Sequence, residues 1–151
     1  MASRRTAQVL ELRAVMQRMF RRFGALGGDR TPCGQPLSMA HAHALMILLA
    51  GGERTQQQLG EALSIDKSNV ARLCARMVEM GHVTQVVGEE DARSRRVALT
   101  AKGARLAGEV DEASAARFAT LLQAVPAARR ADVLAALDQL VLAMDALHAE
   151  E

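Results

Sequence analysis

Residues 55–81 read Thr55-Gln56-Gln57-Gln58-Leu59-Gly60-Glu61-Ala62-Leu63-Ser64-Ile65-Asp66-Lys67-Ser68-Asn69-Val70-Ala71-Arg72-Leu73-Cys74-Ala75-Arg76-Met77-Val78-Glu79-Met80-Gly81. Thr55 followed by Gln58 fits a capping box, in which the hydroxyl accepts the backbone N–H three residues on and the glutamine side chain reaches back. A short helix over Gln56 to about Leu63 follows. Ser64-Ile65 makes a tight connection, and Asp66 is a second N-cap whose carboxylate the helix dipole also favours. The next helix runs from Lys67 to about Met80, with Val70, Leu73, Cys74, Met77 and Met80 on its apolar face and Gly81 as its left-handed stop. These proportions are those of a helix-turn-helix.

The period then changes from helix to strand. Val83 to Val87 is rich in β-branched residues, Gly88 to Arg96 is a charged turn, and Val97-Ala98-Leu99 is a second short strand. Together they predict a β-hairpin with a charged tip. Thr100 caps a helix reaching about Ala124, and Pro126 suits the first turn of a last one marked by Val133, Leu137, Leu140, Met144 and Leu147. Each of these two is expected to extend about 35 Å. Upstream, Val9, Leu12, Met16, Met19 and Phe23 form the stripe of an amphipathic helix from about Thr6 to Phe23. After a turn-rich linker, Ser38 caps a second helix that stops at Gly51-Gly52. The fold class expected is mainly α, a winged helix-turn-helix with a small hairpin wing between long terminal helices.

Counting about 100° per residue from the apolar face, the helix after Asp66 turns Ser68, Arg72 and Ala75 outward, with Asn69 and Arg76 on the flank. That face is thin, polar and basic. A helix of this kind can enter the major groove of duplex DNA, because asparagine and arginine bond base edges bidentately. Thr55, Gln57 and Lys67 are placed as phosphate contacts, which set register without reading sequence. At the hairpin tip, Asp91 is expected to orient Arg93 through an ion pair while Arg95 and Arg96 face the DNA backbone. An arginine inserted into a narrow minor groove gains from its enhanced negative potential.

Composition narrows the alternatives. The 151 residues, half of them apolar and 24% charged, suit one globular domain rather than a multidomain enzyme. With no Trp or Tyr and only three Phe, base-stacking single-strand and RNA binders are disfavoured. Residues 1–52 carry a net +5, residues 53–105 +2 and residues 106–151 −5, so any nucleic-acid site belongs in the first 105 residues. No Gly-rich phosphate loop and no nucleophile-base pair with a supporting motif stands in the chain, and the exposed acids Glu89, Glu90 and Asp91 lack the burial that would split their pKa values. An enzyme is not expected, nor is a cofactor. The N-terminus has no secretory apolar core, and a cytoplasmic, non-membrane protein is expected.

The runs Thr55 to Gly60, Ile65 to Val70, Gly81-His82-Val83 and Asp91 to Gly103 together resemble the MarR family of winged helix-turn-helix transcriptional regulators. The Asp-x-Arg wing followed by Leu-Thr-x-x-Gly is the most specific part. The resemblance covers nearly the whole chain and implies a homodimer that binds operator DNA, usually a repressor relieved by a small ligand or by oxidation. It makes Arg93 the minor-groove residue of the wing tip, Asp91 its orienting partner, and Ser68, Asn69, Arg72 and Arg76 recognition-helix residues. The second helix departs from the family pattern, with His41 and His43 where bulky or aromatic residues are frequent.

Three helices carry apolar stripes, too many for the winged portion to cover, so a two-fold partner is expected. Residues 1–37 and 101–151 are assigned to a helical dimerisation region and residues 38–100 to the winged portion. Arg13, Arg18, His41 and His43 are candidates for an effector pocket, and Cys33, near Arg30, for a redox-active thiol. Cys74 is expected to be packing only. A metal is not expected, since His41 and His43, two apart on a helix, diverge and no further ligands cluster with Cys33. The alternative left open is a winged-helix protein-interaction module without sequence-specific DNA binding.

Overall fold

The structure, a computed structural model, describes every residue except Met1, Asp29, Ala92 and Glu151, and the side chains of all the others but Ala2 and Ser3. Among the described residues six α-helices and three strands follow in the order α1 (Ala2–Phe23), α2 (Met39–Gly51), β1 (Arg54–Thr55), α3 (Gln56–Leu63), α4 (Lys67–Glu79), β2 (Val83–Val87), β3 (Arg95–Leu99), α5 (Ala101–Ala124) and α6 (Arg130–His148). The chain is mainly α with a small sheet, the winged-helix fold.

Local chemistry explains most boundaries. The Ser38 hydroxyl accepts the His41 N–H and starts α2, and Thr55 and Gln58 form both halves of the capping box. Ser64 adopts a left-handed conformation at φ 53° and closes α3, after which Asp66 caps α4 through the Asn69 N–H at 2.8 Å. Thr100 accepts the Gly103 N–H at 3.0 Å at the start of α5.

Four boundaries differ from the sequence expectation. α1 begins at Ala2 rather than Thr6, since nothing in Ser3-Arg4-Arg5 breaks a helix and apolar periodicity is blind to polar turns. β1 was not expected: it is two residues long, too short to show alternation, and exists only through its antiparallel pairing with β3, Arg54 with Val97 and Thr55 with Arg96. β3 begins at Arg95 rather than Val97, because the backbones of Arg95 and Arg96 pair with Val87 and Val86 whatever their side chains carry. At the C-terminal end a 3₁₀ turn, Ala127–Arg129, intervenes after Pro126, which leaves α6 19 residues and about 28 Å instead of ~35 Å.

The chain divides into two compact units, residues 1–113 and 114–151, with α5 running from one into the other. In the first, the core gathers Leu45 and Leu48 of α2, Leu59 of α3, Val70, Cys74 and Met77 of α4, Val83 and Val97 of the sheet, and Ala107 and Val110 of α5. α1 stands apart from that core: Val9, Leu12 and Met19 of its stripe are exposed, Val9 by 60%. In the second unit α6 has no buried residue. Among the described residues no helix is long and apolar enough to cross a membrane.

Candidate nucleic-acid interface

α4 presents two faces. Val70, Cys74 and Met77 are buried and anchor the helix, while Lys67, Ser68, Asn69, Arg72, Ala75 and Arg76 are exposed. Burial pushes the Cys74 thiol up, which keeps it protonated and inert as a core residue. Glu79, unmentioned by the sequence argument, is exposed near the same outward line as Ser68 and Arg72, but at the C-terminal end of the helix.

The hairpin tip and the start of this helix border one groove. Gly88 N–H donates to the Ser94 carbonyl at 2.7 Å and Ser94 N–H to the Asp91 carbonyl at 2.9 Å, closing the tip. Between tip and helices lies a groove of about 770 Å³, lined by Thr55, Gln57 and Lys67 on one side and by Asp91, Arg93 and Arg95 on the other. Residues from two sequence-distant motifs thus share one concave, largely polar surface. A second cleft of about 640 Å³ lies on the opposite flank of α4, where Asn69, Arg72 and Arg76 meet Leu37 and His41.

Two expectations for the wing change. The Asp91 carboxylate accepts the backbone N–H of Arg93 at 2.9 Å, so it shapes the turn instead of pairing with the guanidinium. The short aspartate side chain reaches a backbone group two residues on more readily than the end of a long arginine. Arg96, expected to face DNA, is paired with Glu53 across 43 residues of sequence. Of the phosphate candidates, Thr55 spends its hydroxyl on the cap, and Gln57 donates to Glu61 at 3.1 Å.

Residues 35–94 match the sequence model of the MarR family, a span that holds α2, the helix-turn-helix and most of the wing. Over that span the chain is similar to the MarR family. Solved structures agree in fold: the PcaV transcriptional regulator from Streptomyces coelicolor at 19% identity and a TM-score of 0.69, covering 92% of this chain and 98% of that one. Bordetella bronchiseptica BpsR, described as regulated in DNA binding by 6-hydroxynicotinic acid, gives 17% and 0.72 over 87% and 98%. The S. aureus MepR–DNA complex gives 16% and 0.65 over 92% and 96%. Among curated proteins none matches the sequence. The MarR family is one of transcriptional regulators and not of enzymes.

The four effector candidates differ in burial within the single chain. His41 is buried at 3% exposure and borders the α4 cleft, whereas His43, two residues on, is exposed, as are Arg13 and Arg18 on α1. Cys33 is half-buried with its Sγ 3.0 Å from the Thr31 hydroxyl, and Arg30, expected beside that thiol, donates to the Gly34 carbonyl at 2.7 Å. Among the described residues no three His, Cys, Asp or Glu side chains gather as metal ligands.

The sequence argument passed over His82. Its Nδ1 lies 2.9 Å from Nε2 of His41, a buried bond that ties α2 to the turn between α4 and β2. One ring must donate and the other accept. Burial, then the neighbouring His82 and Arg76, lower the His41 pKa to about 4; burial and then Lys102 lower that of His82. The only sequence signal was a histidine in the Gly-x-Val step after α4.

Proposed function

We propose that the chain is a MarR-type DNA-binding repressor that holds a pseudo-palindromic duplex operator as a homodimer. The N-terminal half of α4 enters the major groove and Arg93 the adjacent minor groove. The observation that carries this is the shared groove between Lys67 and Arg93, which lets one subunit follow a duplex from one groove to the next. Ser68 and Arg72 read bases, and Thr55, Gln57, Lys67 and Arg95 position the backbone. The exposed Arg96–Glu53 pair is worth about 0–1 kcal/mol, weak enough to yield to a phosphate.

Dimerisation is supported by what the chain leaves uncovered. α6 buries none of its 19 residues and exposes Val133, Leu134, Leu137 and Val141, an apolar face that a partner helix would cover. The helices of residues 1–37 and 101–151 form the two-fold interface in this reading, and residues 38–100 the DNA-binding part. Sedimentation at micromolar concentration is expected to give twice the 16.2 kDa chain mass. A clean monomer contradicts the dimer.

A small organic effector modulates binding, in line with the ligand named for BpsR and the natural-ligand complex of PcaV. Oxidation at Cys33 is the other input, and the setting is the cytoplasm. Titration of a genomic duplex at rising salt tests the whole. Affinity should fall steeply with salt, and Arg93→Ala should weaken binding by about 1–3 kcal/mol. A protein that binds no duplex, or binds equally well without Arg93, contradicts the reading.

A further inference from the structure

The exposed end of α4 carries three side chains joined in series. Asp66 uses both carboxylate oxygens: Oδ1 accepts the Asn69 backbone N–H at 2.8 Å, and Oδ2 accepts Asn69 Nδ2 at 2.7 Å. Asn69 Oδ1 in turn accepts from Arg72 Nη2 at 2.6 Å. The spacing of three residues at each step keeps all three on one side of the helix. The amide orientation is forced, since an ionised carboxylate can only accept and a guanidinium can only donate.

This arrangement changes the part Asn69 plays. Reading adenine bidentately takes one amide N–H and the amide oxygen; in Asn69 one of the two N–H groups and one of the oxygen's two lone pairs already serve Asp66 and Arg72, so protein partners fix the amide plane before DNA arrives. Arg72 is differently placed. A guanidinium has five N–H groups, and Nη2 contributes one to each of its two paired-donor edges. One bond to Asn69 therefore leaves a complete two-donor edge open, the edge that matches O6 and N7 of guanine. Arg72 is exposed, and holding it in advance reduces the rotamer entropy that a free arginine loses on binding.

We infer that Asn69 is a positioning residue and not a base reader: anchored by Asp66, it presents Arg72 to a guanine in each operator half-site. This rests on the DNA-binding reading above. It assigns a single base pair, not two, to the pair Asn69 and Arg72. Asp66 then has two separable duties, a helix cap through Oδ1 and the anchor through Oδ2.

Selection of binding sites from a randomised duplex library by the full-length protein tests it. The parent is expected to select a guanine at one position of each half-site. Arg72→Ala should lower that preference by about tenfold or more. Asn69→Ala should lower it at the same base pair, and the double variant should be no worse than Arg72→Ala alone. Asp66→Ser keeps a capping oxygen and loses the anchor, so it should reduce the guanine preference with the melting temperature nearly held. A loss of preference at a different base pair on Asn69→Ala, or multiplying effects in the double variant, overturns the inference while leaving the DNA-binding reading intact. Asn69→Gln, whose longer side chain cannot keep both bonds in place, supplies the same readout should the alanine variant fold poorly. A parent that binds no duplex overturns both.

Discussion

Gly103→Ala is expected to destabilise the fold by about 3 kcal/mol, an overpacking cost that ordinary side-chain shifts cannot relieve. A Cβ at this position would lie 1.8 Å from the His82 carbonyl oxygen and 2.7 Å from its carbon, a clash with backbone and not with the end of a flexible side chain. His82 is not free to retreat. Its carbonyl accepts the Thr100 N–H at 3.0 Å, the Thr100 hydroxyl donates to the Gly81 carbonyl at 2.6 Å, and Lys102 donates to the Met80 carbonyl at 2.9 Å. The end of α4, the entry to the wing and the start of α5 are therefore one cross-bonded joint around Gly103. Gly108→Ala is the matched control: it lies in the same helix, nothing stands within 4 Å of its added Cβ, and helix propensity favours the change by roughly 1 kcal/mol. Denaturant melts of the two variants should diverge in opposite directions. Equal stability of Gly103→Ala and the parent would refute the joint.

Acidification from pH 7 to pH 4 is expected to remove about 3 kcal/mol through His41 alone. Its pKa falls from 6.5 to about 4 in the folded chain, so the unfolded chain takes up the proton first. The stability held by the neutral ring is thus complete above about pH 6.5 and drains away between 6.5 and 4. His82, shifted in the same direction, steepens the fall. The charged groups facing the pair are Arg76 from α4 toward His41 and Lys102 from α5 toward His82; both are cations and oppose a second positive charge. His41→Gln keeps a partner for His82 without a titrating ring. The variant should lose far less stability than the parent over the same interval, measured by denaturant melts at each pH. Parallel pH curves would show that the pair carries no such load.

What the sequence made legible was local. Thr55 with Gln58, Asp66 before Lys67, and the spacing of Val70, Cys74 and Met77 each declare themselves within a few residues, because capping and helical burial are short-range. The Asp-x-Arg wing and the glycine of Leu-Thr-x-x-Gly were legible as pattern, and the structure supplies the reason for Gly103. Contacts that depend on distant partners were not. β1 has no signature apart from β3, Arg96 meets Glu53 across 43 residues, and His41 meets His82 across 41. Asp91 was assigned to the arginine side chain because charge is visible in a sequence and an unfilled backbone N–H is not. Arg13, Arg18 and His43 were grouped with His41 by family resemblance, and of the four only His41 is buried in the single chain.

The claim on which the account turns is that α4 and Arg93 engage neighbouring grooves, repeated about a two-fold axis. A hydroxyl-radical footprint of the full-length protein on a duplex it selects tests that most directly. Two equivalent protected segments are expected with centres about one helical turn, ~34 Å, apart, flanked by minor-groove protection that disappears selectively in Arg93→Ala. A single unpaired segment, or a flanking footprint unchanged without Arg93, would contradict it.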